Sequence, residues 1–167
     1  MNCKTGILIP PQTAYDIARE MRGKNPKKLD GEVWYKFLRS EHSPIRIATY
    51  MVKMENIPYW VSVHFTRHKI GVEHFVTSRR EDITGKVRSP SDLVDHIMIC
   101  NAQALITMAR RRLCAKAAPE TRAAMFELRD GFREVDFQLY CAMQPDCVYR
   151  NGCHELVSCG WYNETEV

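Results

Sequence analysis

Between His64 and Arg80 the chain reads HFTRHKIGVEHFVTSRR, a stretch that holds Arg67, His68, Lys69, His74, Arg79 and Arg80. Phe65, Phe75 and Val76 are interleaved with these nearly all positive side chains. A solvated surface run is usually mixed in sign, so this composition points instead to an anionic ligand carrying a flat ring. A second cluster stands at Arg110-Arg111-Arg112. A phosphate monoester is close to a dianion at neutral pH, and the planar guanidinium fork of Arg can bond it bidentately. Two local clusters suit a phosphorylated small molecule at least as well as a polymer.

The cysteines form the other chemical pattern. Cys141, Cys147, Cys153 and Cys159 recur every six residues near the C-terminus. Four thiolates can hold a tetrahedral zinc ion, and Cys114, Cys147, Cys153 and Cys159 are the candidate set, with Cys141 and His154 as alternatives. Such an ion would pin the tail against the helix that carries Arg112. The plainer reading is idle or buried thiols, since Cys packs as a small apolar residue. Cys3 and Cys100 read as ordinary thiols. His42, His64 and His96 read as surface or hydrogen-bonded side chains, because a lone titratable His carries no functional claim.

Elements must position these groups. TAYDIAREMR (13–22) suits a short helix capped by Thr13, and EVWYKFLRSE suits a second with Val33, Phe37 and Leu38 inward. Trp34 and Tyr35 read as packing residues. Pro44 favours an extended conformation at Ser43, and β-branched and aromatic residues from Ile45 to Met54 predict a strand. Asn56-Ile57-Pro58 reads as a turn, with Pro58 opening the next helix. From Tyr59 the spacing is helical, so the cations emerge where that helix ends. Residues 81–90 are a polar connection. A long helix is expected from Asp92 to about Lys116, with Asn101, Leu105, Met108 and Arg112 along one face. Another is expected from Pro119 to about Tyr140, with Phe126, Val135 and Leu139 in the core.

With 167 residues and a net charge of +4, the chain is long enough for one hydrophobic core. The domain reading is a single α+β unit over residues 1–140, with residues 141–167 as a Cys-rich tail packed on it. No segment approaches the length of an apolar membrane span, and nothing at the N-terminus reads as a signal peptide. Seven cysteines in a chain without an export signal fit a reducing, cytoplasmic setting.

Arg67-His68-Lys69, seven residues, then Thr77 resembles the Arg-His-Arg…Ser signature of the flavin-dependent thymidylate synthases, the ThyX family. Three further stretches match in the right order: EHSPIR before a strand, Asn101 to Glu120 with Arg112 and Ala117 between them, and the Cys-containing ending PDCVYRNGCHELVSCG. The resemblance covers roughly residues 41–160. It implies the thymidylate synthase-complementing-protein-like α+β fold, antiparallel strands packed with long helices, in a homotetramer. It implies FAD as cofactor, dUMP as substrate, methylenetetrahydrofolate as carbon donor, NADPH as reductant and no cysteine nucleophile. Carried over by position, Arg67, His68, Lys69 and Asn101 would meet FAD. Thr77, Arg79 and Arg112 would hold dUMP, and Arg88 is the candidate for a further phosphate contact.

The chain departs from the family at Lys69 and Thr77, at His74-Phe75 where the signature has Asn-Glu, and in the short connection over residues 81–100. These departures describe a shortened, divergent branch, for which another pyrimidine nucleotide or a hydroxymethylated product is the alternative. A nucleic-acid-binding module is the competing class, but aromatic residues are not interleaved with Arg110–Arg112 and no recognised zinc-finger spacing is present. A catalytically silent nucleotide-binding relative is the third reading.

Overall fold

Along Thr49–Pro58 (β2) Tyr50, Val52 and Met54 are fully buried, whereas Met51 between them is 40% exposed. This alternation is the mark of a strand with one face on a core. The computed structural model of the chain describes residues 2–164. Its sheet has four strands in the order β1 (Asn2–Ile9), β2, β4 (Leu93–Asn101), β3 (Val72–Val76), every neighbouring pair antiparallel. The central pair sets Tyr50 opposite Cys100, Val52 opposite Met98 and Met54 opposite His96. Past Met54 the register shifts, and Asn56 takes a left-handed φ of 57° at the irregularity.

Helices cover one face of this sheet. They are α3 (Tyr59–Thr66), α5 (Ala102–Arg112) and α6 (Pro119–Val135), with α6 lying along β1 and β2. Gly131 allows the close approach of α6: a Cβ there would stand 2.9 Å from the Thr5 methyl, and the Thr5 hydroxyl donates to the Gly131 carbonyl at 2.8 Å. Two flanking helices, α1 (Pro11–Glu20) and α2 (Gly31–Arg39), and the short α7 (Phe137–Ala142) complete the layer, while the one-turn α4 (Glu81–Thr84) lies in the connection before β4. Asp30 caps α2 by accepting from the Glu32 and Val33 amides, as the N-cap rule expects.

One buried carboxylate ties the layers together. Asp136 accepts from Tyr50 Oη at 2.6 Å, from Trp34 Nε1 at 3.0 Å and from the Leu139 amide at 2.9 Å. It thereby links β2, α2 and α7, and its Oδ1 caps α7. Trp34 is 2% exposed, so its role is packing, as the sequence suggests.

Several elements differ from the sequence expectations. The expected long helix from Asp92 is strand β4 followed by α5. Leu93, Ile97 and Ile99 on the outward face are as apolar as Val94, Met98 and Cys100 inside, so the two-residue alternation is hidden. The helix expected to Tyr140 breaks after Val135, where Asp136 adopts φ −152° and starts α7. Helix α1 begins at Pro11, so Thr13 lies inside it. Residues 43–46 form a 3-10 turn, and β2 begins only at Thr49 and runs through the expected turn at Asn56. The N-terminal strand and β3 were not expected at all, β3 because its charged residues read as loop.

Asp136→Ala would leave the Tyr50 hydroxyl and the Trp34 indole N–H buried without an acceptor. A loss on the order of 3 kcal/mol is expected, read as a lower urea midpoint at unchanged slope.

Candidate functional site

Helix α3 ends at Thr66, and the cationic turn over residues 67–71 follows. Gly71 closes it with φ 72°, a left-handed value that favours glycine. A side chain there would also meet Asn101, whose amide nitrogen lies 2.5 Å from the ideal Cβ position. Asn101 caps α5 through its Oδ1, which accepts from the Ala104 amide at 2.9 Å, and its own backbone N–H donates to the Gly71 carbonyl at 3.0 Å.

Arg112, in the last turn of α5, reaches back to the end of α3. Its Nε donates to His68 Nε2 at 3.0 Å and its Nη2 to the His64 carbonyl at 2.7 Å. Because guanidinium is always a donor, His68 Nε2 must be the bare nitrogen and Nδ1 carries the proton. Burial and then the Arg112 charge push the His68 pKa down to about 4, which keeps the ring neutral. Burial and the Arg67 charge also lower the Arg112 pKa. Among the described residues, neither Arg67, Lys69 nor Arg112 forms an ion pair with a carboxylate. Cations gathered without counter-charges are an electrostatic cost that an anion would offset.

Two concavities meet at Arg67. One, of about 490 Å³, is lined by Arg67, His68, Lys69, Ile70, Gln103, Ala104 and Thr107. The other, of about 420 Å³, is lined by Tyr59, Trp60, Val63, His64, Arg67, Arg79, Arg88 and Pro90. Three of the four residues expected at the flavin thus share one concavity, and Arg79 and Arg88 share the other. Asn101 and Arg112 line neither and stand behind the turn. Thr77 lines a third hollow of about 360 Å³ on the far side of Arg79.

Two of the expected phosphate contacts are already engaged within the chain. Arg79 donates to Asp92 Oδ2 through Nε at 3.2 Å and Nη2 at 3.0 Å, donates to the Ser89 carbonyl, and lies 3.8 Å from the Tyr59 ring centroid. Thr77 Oγ1 donates to the Asp95 carbonyl at 3.3 Å and accepts from the Asp95 amide at 3.1 Å. Arg88 is exposed and 3.8 Å from Glu81. Sequence reasoning did not single out Asp92, Gln103 or Thr107 for the site, and it read His64 as a background residue. The dipeptide Tyr59-Trp60 was the available signal for the aromatic wall.

Cys114, Cys147, Cys153 and Cys159, with His154, line one small chamber of about 20 Å³. Among the described residues, no group of three His, Cys, Asp or Glu side chains is placed to hold a metal ion. The zinc expectation therefore finds no assembled ligand set, and Cys141 is not in the chamber. The tail is held by other means: Lys116 Nζ donates to the Val157 carbonyl at 2.7 Å, and Arg111 pairs with Glu155 at 3.1 Å.

The antiparallel sheet with helices on one face defines an α+β class that matches solved enzymes. A UMP/dUMP methylase, PolB, from Streptomyces cacaoi, solved with 5-Br dUMP, aligns at a TM-score of 0.65 with 13% identity, over 84% of this chain and 94% of that one. Thymidylate synthase X from Helicobacter pylori, solved with FAD and dUMP, aligns at 0.64 with 13% identity, over 83% of this chain and 99% of that one. The chain has the fold of these two proteins. No family model and no curated protein sequence matches it.

His68 and His96 both have pKa values lowered to about 4 from 6.5, each chiefly by burial. The folded chain binds fewer protons than the unfolded chain below pH 6.5, so stability is full above that value and falls towards pH 4. Unfolding monitored at pH 7 and pH 5 should show a loss on the order of 2 kcal/mol at the lower pH, reduced in His96→Gln.

Proposed function

We propose that this chain binds a pyrimidine nucleoside monophosphate beside a flavin and methylates dUMP at C5 to give dTMP. The observation that carries this reading is the set Arg67, Lys69 and Arg112, which has no carboxylate partner among the described residues: Arg67 stands where two concavities meet, Lys69 lines one of them, and Arg112 lies behind the turn. The solved neighbours, a dUMP methylase and a synthase holding FAD and dUMP, support the substrate class.

In this reading the nucleotide lies in the concavity walled by Tyr59 and Trp60, with Arg79 and Arg88 at its phosphate. FAD lies in the concavity of Arg67, His68 and Lys69. Those residues fit such a group: Arg67 and Lys69 offer charge that no carboxylate among the described residues neutralises, and the His68 Nδ1–H is a donor of fixed tautomer. Bound FAD would supply two-electron chemistry, with NADPH as the reductant. Methylenetetrahydrofolate is the carbon donor in this proposal. The protein's part is binding and orientation, with Arg112 holding His68 in place and adding positive potential behind the turn.

A homotetramer belongs to the same proposal. The sheet face away from the helices exposes Phe75 at 56%, Leu93 at 62%, Met51 at 40% and Ile99 at 36%. An apolar face of this kind suits burial against another chain.

Anaerobic incubation with FAD, NADPH, methylenetetrahydrofolate and dUMP, read by mass spectrometry of the nucleotide, should yield dTMP. A hydroxymethylated nucleotide would keep the substrate and change the final reduction. Unaltered dUMP, beside an active control synthase, would remove the synthase reading. In binding assays, Arg67→Ala should weaken FAD by about 2 kcal/mol. Arg79→Ala should weaken dUMP by less than that, because Asp92 already occupies its fork.

A further inference from the structure

His96 is wholly buried on β4, and its Nδ1 has no hydrogen-bond partner. Its Nε2 lies 3.0 Å from Nδ1 of His74 on the adjacent strand β3, and His74 Nε2 lies 2.8 Å from the His68 carbonyl. These contacts fix the direction of every proton. A carbonyl only accepts, so His74 Nε2 carries a hydrogen. In neutral His74, Nδ1 is then the acceptor, and His96 must donate from Nε2. That leaves His96 Nδ1 as a bare acceptor in the core.

We propose that His96 and His74 are a positioning pair, a one-way chain of donors from the core to the His68 carbonyl that sets the turn carrying Arg67 and Lys69. The inference rests on the flavin-binding reading only for what the turn holds. The His68–Lys69 peptide lies between the two cations. Its carbonyl is the point at which β3 grips the turn, as Asn101 grips it at Gly71. Without the His74 donor that peptide has no partner from the sheet.

The same geometry leaves room for one proton between the two rings. With His74 doubly protonated, its Nδ1–H can donate to His96 Nε2, and the His96 proton then sits on the buried Nδ1 without an acceptor. With both rings doubly protonated, two N–H groups face each other. Phe65 of α3 stands edge-on to His96 at 6.3 Å between centroids. His68 lies beyond His74, and Arg112 and Arg111 of α5 stand beyond His68. Glu73, the acidic residue beside His74 on β3, alternates to the outward face opposite Ile99.

The first test is the imidazole nitrogen NMR spectrum of the whole chain at pH 7. Both His74 and His96 should be neutral Nε2–H tautomers, and a Nδ1–H tautomer at either would overturn the proposal. The second is amide hydrogen exchange in His96→Leu and His96→Gln. In the Leu variant, exchange at His68, whose amide donates to the Phe65 carbonyl, and at Asn101, whose amide donates to the Gly71 carbonyl, should rise at least tenfold while α6 is unchanged. Gln, which keeps a donor, should restore much of the protection. Unchanged exchange at His68 and Asn101 in His96→Leu would overturn the positioning role. FAD titration of the same proteins separates the two readings. Tighter binding to wild type and Gln than to Leu supports both, whereas the exchange pattern without FAD binding to any of them keeps the positioning pair and removes the flavin.

Discussion

The guanidinium of Arg112 is the contact on which the site depends. It joins the last turn of α5 to the end of α3 and the turn beyond it by two bonds, one to the His68 ring nitrogen and one to the His64 main-chain carbonyl. Neither acceptor carries charge, so the cation stays uncompensated while it is held. That combination is unusual for a half-buried Arg, which is ordinarily paired. Here it fixes the tautomer of His68 and raises the positive potential behind the turn with one side chain.

Everything else can be seen as placing those two helix ends together. Antiparallel pairing of β2 with β4 starts α3 and α5 at opposite ends of the strand pair, with Pro58 opposite Leu93 and Asn101 opposite Thr49, and the last turns of the two helices meet through Arg112. Gly71 and Asn101 close the gap between them, and Asp136 holds the distant half of the layer against β2. The cost of assembling like charges is thus met by packing and hydrogen bonds elsewhere in the chain.

The sequence made α3 and the cationic turn legible, because an apolar run of helical spacing leads into the Arg-His-Lys run, although that spacing carries on through Arg67 and His68 and so does not mark the end of the helix at Thr66. It also made the gathering of cations legible, through the Arg67-His68-Lys69 run and the cluster that ends at Arg112. Strand β4 was not legible, since apolar residues on both faces erase the period that separates strand from helix. The engagement of Arg79 by Asp92 and of Thr77 by Asp95 was equally hidden. Both depend on the return of the chain after residues 81–91, a tertiary event that no local pattern encodes. The His74–His96 contact belongs to the same kind, since the two residues lie on different strands and meet only through the register.

Asp92 has a consequence beyond its ion pair with Arg79. It is a tethered competitor: a carboxylate on the same chain meets the guanidinium at an effective concentration that a free metabolite does not reach. Any anion approaching Arg79 must displace it, and the ease of displacement depends on how freely residues 81–91 can swing away. Changing the length or stiffness of that connection would therefore retune which ligands the basic surface prefers, with no change in any residue that touches them.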